Sequence, residues 1–170
     1  LSAEAVGLAR AMQQVANTLN LPINSLQHIA PTIAANALVH KGTTGMDKAL
    51  LRISAAGALF VFLTTMLLLV TSDLVIPIIL GSKLPGSFVL LIAFLFLNAV
   101  MLVRFPLVIR AQSLEQPVKV AIGACVGSLT SIAMVLFAHQ YLAVLAIPLS
   151  LIVGVMANSV ALWLVQTDDK

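Results

Sequence analysis

Between Lys83 and Arg104 the chain runs through twenty residues without a charge, and the length of such stretches restricts its fold more than any motif does. About 20 apolar residues in an α-helix cross the ~30 Å hydrocarbon of a bilayer. Five stretches reach that length, at about residues 5–38, 51–80, 87–109, 117–139 and 142–166. In lipid every backbone N–H and C=O must bond within the protein, so each stretch is read as a helix. The expected fold is therefore all-α: a polytopic transmembrane bundle of about five membrane-spanning helices with short connections. Composition agrees, since a chain 61% hydrophobic and 9% charged, with a mean hydropathy of +1.10, has more apolar surface than a soluble domain of this size can hide.

The first stretch is less apolar than the others and carries Pro22 and Pro31. Proline removes an N–H and clashes with the preceding turn, which predicts a kink near Pro22 and a break or end near Pro31. Pro117 suits the first turn of the fourth helix. Lys41, Lys48 and Arg52 lie between spans one and two, and Arg110 and Lys119 between spans three and four, with Arg104 close by. The opposite side has Lys83 alone. This bias puts the richer side, and with it the C-terminus, in the cytoplasm. The chain starts at Leu1 with no basic segment ahead of a cleavable apolar one, so its first span reads as structure rather than as a signal peptide, and the whole as part of a larger protein.

Polar side chains recur along the first span at Arg10, Gln13, Gln14, Asn17, Asn20, Asn24, Gln27 and His28. Helical steps of three and four place them in one stripe, with apolar residues around the rest of the circumference. An unpaired amide at membrane depth costs several kcal/mol, and a charge there faces protein or water rather than lipid. The stripe thus implies a wet or protein-lined interior, either a transport pathway or a set of interhelical hydrogen bonds. Arg10 offers a bidentate fork to phosphate oxygens. Near the start of the helix, it equally suits a snorkelling interfacial charge.

Arg104 follows a long apolar run, with Asn98 two turns earlier, and is either a contact for a lipid phosphate or an interfacial anchor. Asp73, four residues before Pro77, is an ion-coupling candidate or a solvated acid near the outer interface. Gly123, Gly127 and Ser131, and then Ser150, Gly154 and Asn158, form small-residue ridges that allow close helix packing. A single cysteine, Cys125, excludes an internal disulfide, and three scattered histidines give no metal-ligand spacing. Paired carboxylates and a nucleophilic triad are missing too, so no enzymatic role, metal or cofactor is expected. The net charge of +3 lies mostly in the connections and implies no nucleic-acid partner.

The segment VGLARAMQQVANTLNLPINSL from Val6, followed by IAPTIAANAL from Ile29, resembles the polysaccharide flippases of the multidrug/oligosaccharidyl-lipid/polysaccharide exporter superfamily. VIPIILGSKLPGS, from Val75 to Ser87, is similar to that family's proline, apolar run and glycine ahead of a helix. Ala9 stands where the family often has tyrosine, and Leu84 lies near a usual aromatic. The resemblance implies a two-lobed helical transporter working by alternating access, with residues 1–170 as most of its C-terminal lobe and an N-terminal lobe as partner. Its cargo would be a polyprenyl-diphosphate-linked oligosaccharide, flipped across the bacterial cytoplasmic membrane for O-antigen or other cell-surface polysaccharide.

On that reading Arg10, Gln13, Gln14, Asn17, Asn20, Asn24, Asn98 and Arg104 line the cargo cavity, and Asp73 is a weaker ion-coupling candidate. Two alternatives remain open. A multidrug antiporter of the same superfamily would call for a buried acid and aromatic cargo walls, whereas 5% of the chain is aromatic. A non-transporting membrane scaffold of an envelope-assembly complex would have the stripe wholly bonded to neighbouring helices.

Overall fold

The computed structural model describes residues 3–18, 21–80 and 86–167, all in helices and the tight turns between them. Helix α1 spans Ala3–Thr18, α2 Leu21–Leu80, α3 Ser87–Ser113, α4 Pro117–Leu142 and α5 Ala146–Thr167, with a 3-10 turn over Ala143–Leu145. The protein is an all-α, multi-pass helical bundle of membrane type. Four of its helices are long and apolar enough to cross a membrane, where five were expected. The difference lies in α2, which runs for 60 residues and carries two of the expected crossings.

Proline position explains part of the change. Pro22, the second residue of α2, sits where a missing N–H costs nothing, just after the described helices divide, α1 ending at Thr18 and α2 starting at Leu21. Pro31 does not end the helix as expected. It frees only the Gln27 carbonyl, a loss that membrane helices absorb when side chains or water restore the bond. The break falls instead at Gly42, whose φ of 65° and ψ of −168° belong to a region that is essentially glycine's own.

At Gly42 the helix folds back on itself. Ala34 and Leu50, each eight residues from Gly42, share a buried cluster with Ala30, Met46, Phe105 and Ile109. A Cβ on Gly57 would lie 3.7 Å from Leu26 Cδ1 and 3.4 Å from Leu102 Cδ2. The two arms, residues 21–41 and 43–80, are therefore antiparallel. α1 continues the line of the first arm toward the other end, where Met12, Val15 and Ala16 pack against Ile76, Leu90, Leu91, Phe94 and Ile152.

The central helix is α3, in contact with both arms of α2, with α1 and with α5. Its apolar side chains face neighbours on several sides, which suits a span that is apolar all round. α4 and α5 pack through the small-residue ridges. A Cβ on Gly127 would meet the Gly154 carbonyl at 2.7 Å, and one on Gly123 the Leu162 Cγ at 2.7 Å, so the backbones approach as closely as the sequence spacing implies. Ser131 Oγ adds a hydrogen bond to the Ser150 carbonyl at 3.1 Å.

The second arm of α2 begins about eight residues ahead of the expected 51, and the ends of α3, α4 and α5 differ from expectation by about a turn. α3 continues to Ser113 instead of about 109, α4 to Leu142 instead of about 139, and α5 starts at Ala146 instead of about 142. Glu115, at φ 55°, turns the chain between α3 and α4, and the last-turn carbonyls of Arg110, Ala111 and Gln112 are met by the N–H groups of Leu114, Gln116 and Glu115.

Candidate functional site

α1 is divided lengthwise. Ala9, Met12, Val15 and Ala16 are buried, while Arg10, Gln14 and Asn17 are exposed on the opposite face and Gln13 is half-buried at its edge. The division follows from the 3.6-residue period, with the apolar stripe packed and the polar stripe left over. On the first arm of α2, Asn24, Gln27 and His28 extend the exposed face past the break, while Ala30 and Ala34 pack inward. Asn20 lies outside the described residues.

Asn98 is placed differently from the rest of the expected cavity lining. It is buried, and its Nδ2 donates to the Ala16 carbonyl at 3.0 Å. That carbonyl lies in the last described turn of α1, so an amide from α3 is bonded to the end of the helix. Asn98 thus joins α1 to α3 and does not belong to the open face.

Arg104 meets the stripe. A cavity of about 350 Å³ between the first arm and the C-terminal half of α3 is lined by Gln27, His28, Met101, Arg104, Val108 and Gln112, among others. From its other side Arg104 borders a smaller cleft, about 190 Å³, with Ser128, Ser131 and Asn158 of the α4–α5 seam. With the Asn158 amide oxygen turned toward Arg104, that oxygen accepts from Nε at 3.1 Å and from Nη2 at 3.2 Å. No carboxylate lies within ion-pair distance of Arg104 among the described residues.

The other groups sit at the bundle ends. At the basic end Arg110 Nε donates to Asp47 Oδ1 at 3.0 Å and Nη1 to Gln166 Oε1 at 3.3 Å, while Gln166 Nε2 donates to the Leu107 carbonyl at 3.0 Å. Lys119 Nζ reaches the Val165 carbonyl at 3.1 Å. These bonds tie the second arm of α2, α3, α4 and α5 together, across sequence separations too long to read from the chain. At the opposite end Asp73 is exposed beside a cavity of about 380 Å³ with Ser72, Ser87 and Phe88. Sixteen residues of α3 separate Phe88 from Arg104, roughly 24 Å along the axis, so Asp73 and the arginine cavity are separate sites.

Sequence reading placed Asn158 in a packing ridge and missed its bond to Arg104. The available signal was its position: an amide four residues after Gly154, in the middle of a span whose other amide, Gln166, stands at its end. No family model, curated protein or solved structure matches the chain.

Proposed function

We propose that this bundle is one lobe of a membrane transporter that flips a lipid-linked, anionic cargo, with the polar face of α1 and the first arm of α2 as one wall of its pathway. A single observation carries the reading. From Arg10 to His28 the described residues of the stripe are exposed, apart from the half-buried Gln13, lie opposite a packed apolar face, and end at the arginine cavity through Gln27 and His28. A charge and several amides on one outer face are costly against lipid at membrane depth, which favours water, a cargo or a second lobe beside the stripe.

The cargo class follows from charge and from the resemblance to polysaccharide flippases. A wall offering Arg10, Arg104 and amides, with its acid at a separate end, suits an anion, and a polyprenyl-diphosphate-linked oligosaccharide combines that anion with a polar glycan. The finer setting belongs to the same proposal: the bacterial cytoplasmic membrane, a second helical lobe across a central cavity, and the basic end with Lys41, Lys48, Arg110 and Lys119 in the cytoplasm.

Single cysteines along residues 9–28, in a Cys125→Ser background of the whole protein in cells, test the pathway. Labelling by a small hydrophilic maleimide is expected to peak at positions 10, 14, 17, 24 and 28 and to fall at 9, 12 and 16. Uniform protection would sink the pathway and favour a scaffold in which the stripe is bonded to other helices.

A further inference from the structure

Arg104 carries a charge inside a membrane span that its one close partner among the described residues orients without cancelling. The residue stands nine positions before the end of α3, ~14 Å along the axis, and its guanidinium is turned sideways to Asn158 of α5 instead of toward the helix end. A guanidinium has five N–H donors. The Asn158 oxygen accepts two of them, which leaves three. An anchoring arginine would extend along the helix to the interface, and a structural one would meet a carboxylate.

We propose that the cavity bordered by Arg104, Gln27, His28 and Gln112 is a head-group site for a diphosphate ester, and that Asn158 is its positioning residue. The inference deepens the transport reading and rests on it for the cargo. Amide and imidazole N–H groups of Gln27, Gln112 and His28 add donors to the guanidinium, and no carboxylate lines the cavity among the described residues. That donor set selects an oxyanion over a cation. At about 350 Å³ the cavity is near the lower bound for small-ligand sites, so it takes the diphosphate and leaves glycan and lipid tail outside. A neutral partner is essential to this design: an amide oxygen fixes the fork, whereas a carboxylate would fix it and compete with the ligand.

The test uses the whole protein in phosphatidylcholine nanodiscs, with Cys125→Ser and a reporter Met101→Cys on the cavity wall. The rate of maleimide labelling is measured against inorganic diphosphate, geranylgeranyl diphosphate and geranylgeraniol. Both diphosphates are expected to protect the cysteine and the alcohol to have no effect. Tighter protection by the prenyl ester assigns a lipid head group, and equal protection assigns a free-anion site of the same chemistry. Arg104→Gln is expected to raise the half-protecting concentration about tenfold or more, and Arg104→Lys by less, since it keeps the charge and loses the fork.

Asn158→Asp separates positioning from packing, because it preserves the bond to Arg104 and the fit against Gly123 and Gly127. It is expected to weaken diphosphate protection as much as Arg104→Gln does. Unchanged protection in Asn158→Asp or in Arg104→Gln overturns the proposal, as does protection by the alcohol. Glycan delivery in a flippase-deficient cell is scored in parallel. Diphosphate protection with no delivery by the unaltered protein would remove the transport reading and leave the site standing, while full delivery by Arg104→Gln would remove the site alone.

Discussion

Arg104 and Arg110 stand six residues apart on α3 and meet opposite fates. Arg110, at the basic end, bonds to Asp47 and to Gln166, and Gln166 returns a bond to the backbone of α3. Arg104, deeper in the span, bonds to a neutral amide on α5 and borders a polar cavity. The same side chain is cancelled in one place and kept available in the other. Where the bundle needs only cohesion, charge is matched with charge; where a pathway is proposed, the partner is one that orients without neutralising.

Exchange of each arginine for glutamine is the most direct way to break this comparison. Arg104→Gln is expected to lower delivery of lipid-linked glycan about tenfold or more at equal protein level, because a diphosphate in a low-dielectric interior loses its counter-charge. Arg110→Gln is expected to leave delivery per molecule within about twofold, since its bonds are to the protein's own groups at a partly exposed end. The readout is surface glycan in a flippase-deficient cell, normalised to protein in the membrane. Equal losses in the two variants would erase the distinction.

The α4–α5 seam that holds Asn158 against Arg104 gives the next largest effect. Gly127 has the Gly154 carbonyl and Asn158 Cβ within 2.8 Å of where its own Cβ would be, so Gly127→Val must push the helices apart. Overpacking of this kind costs about 1–3 kcal/mol. Unfolding titrations in mixed micelles should show that loss, and protection of Met101→Cys by diphosphate should weaken with it because Asn158 moves. Ala124, half-buried three positions earlier on α4, is the control: Ala124→Ser adds one small atom at the wall of the cleft and is expected to change stability by less than about 1 kcal/mol.

The sequence carried the helices and the isolated charge more clearly than the contacts between them. An uncharged run from Leu84 to Val103 leaves little choice but a helix, and Arg104 at its end is conspicuous for that reason. The stripe on α1 was legible for the same cause, a 3.6-residue period in a short amphipathic segment. Pro31 misled because proline breaks helices most reliably in water, whereas α2 continues through it. Gly42 is one of two glycines in the stretch KGTTGM, and nothing local marks it as the residue that takes the positive φ. Asp47 and Arg110 meet across 63 positions, and Asn158 and Arg104 across 54; such pairs depend on how whole helices pack, which periodicity within one helix does not encode. Asn98 shows the same limit, since its bond reaches the Ala16 carbonyl across 82 positions.

The smallest effect sharpens the comparison from the cancelled side. Asp47 and Arg110 retain side-chain exposures of 49% and 28%, so water and salt compete for both partners, and such pairs contribute about 0.2–1 kcal/mol. Asp47→Asn is therefore expected to lower stability by less than about 1 kcal/mol, an effect that shrinks further as ionic strength rises and the Debye length falls to about 3 Å near 1 M salt. Gln166 would still hold Arg110 to the end of α5, so the second arm of α2 is the element that loosens, and hydrogen exchange should rise around Met46 and Leu50 while the α4–α5 seam stays protected. Diphosphate protection at the Arg104 cavity should be unchanged, because no bond joins Asp47 to its lining. A loss of protection in Asp47→Asn would mean that the two arginines act as one charge system, and that orientation by Asn158 is only part of what keeps Arg104 available.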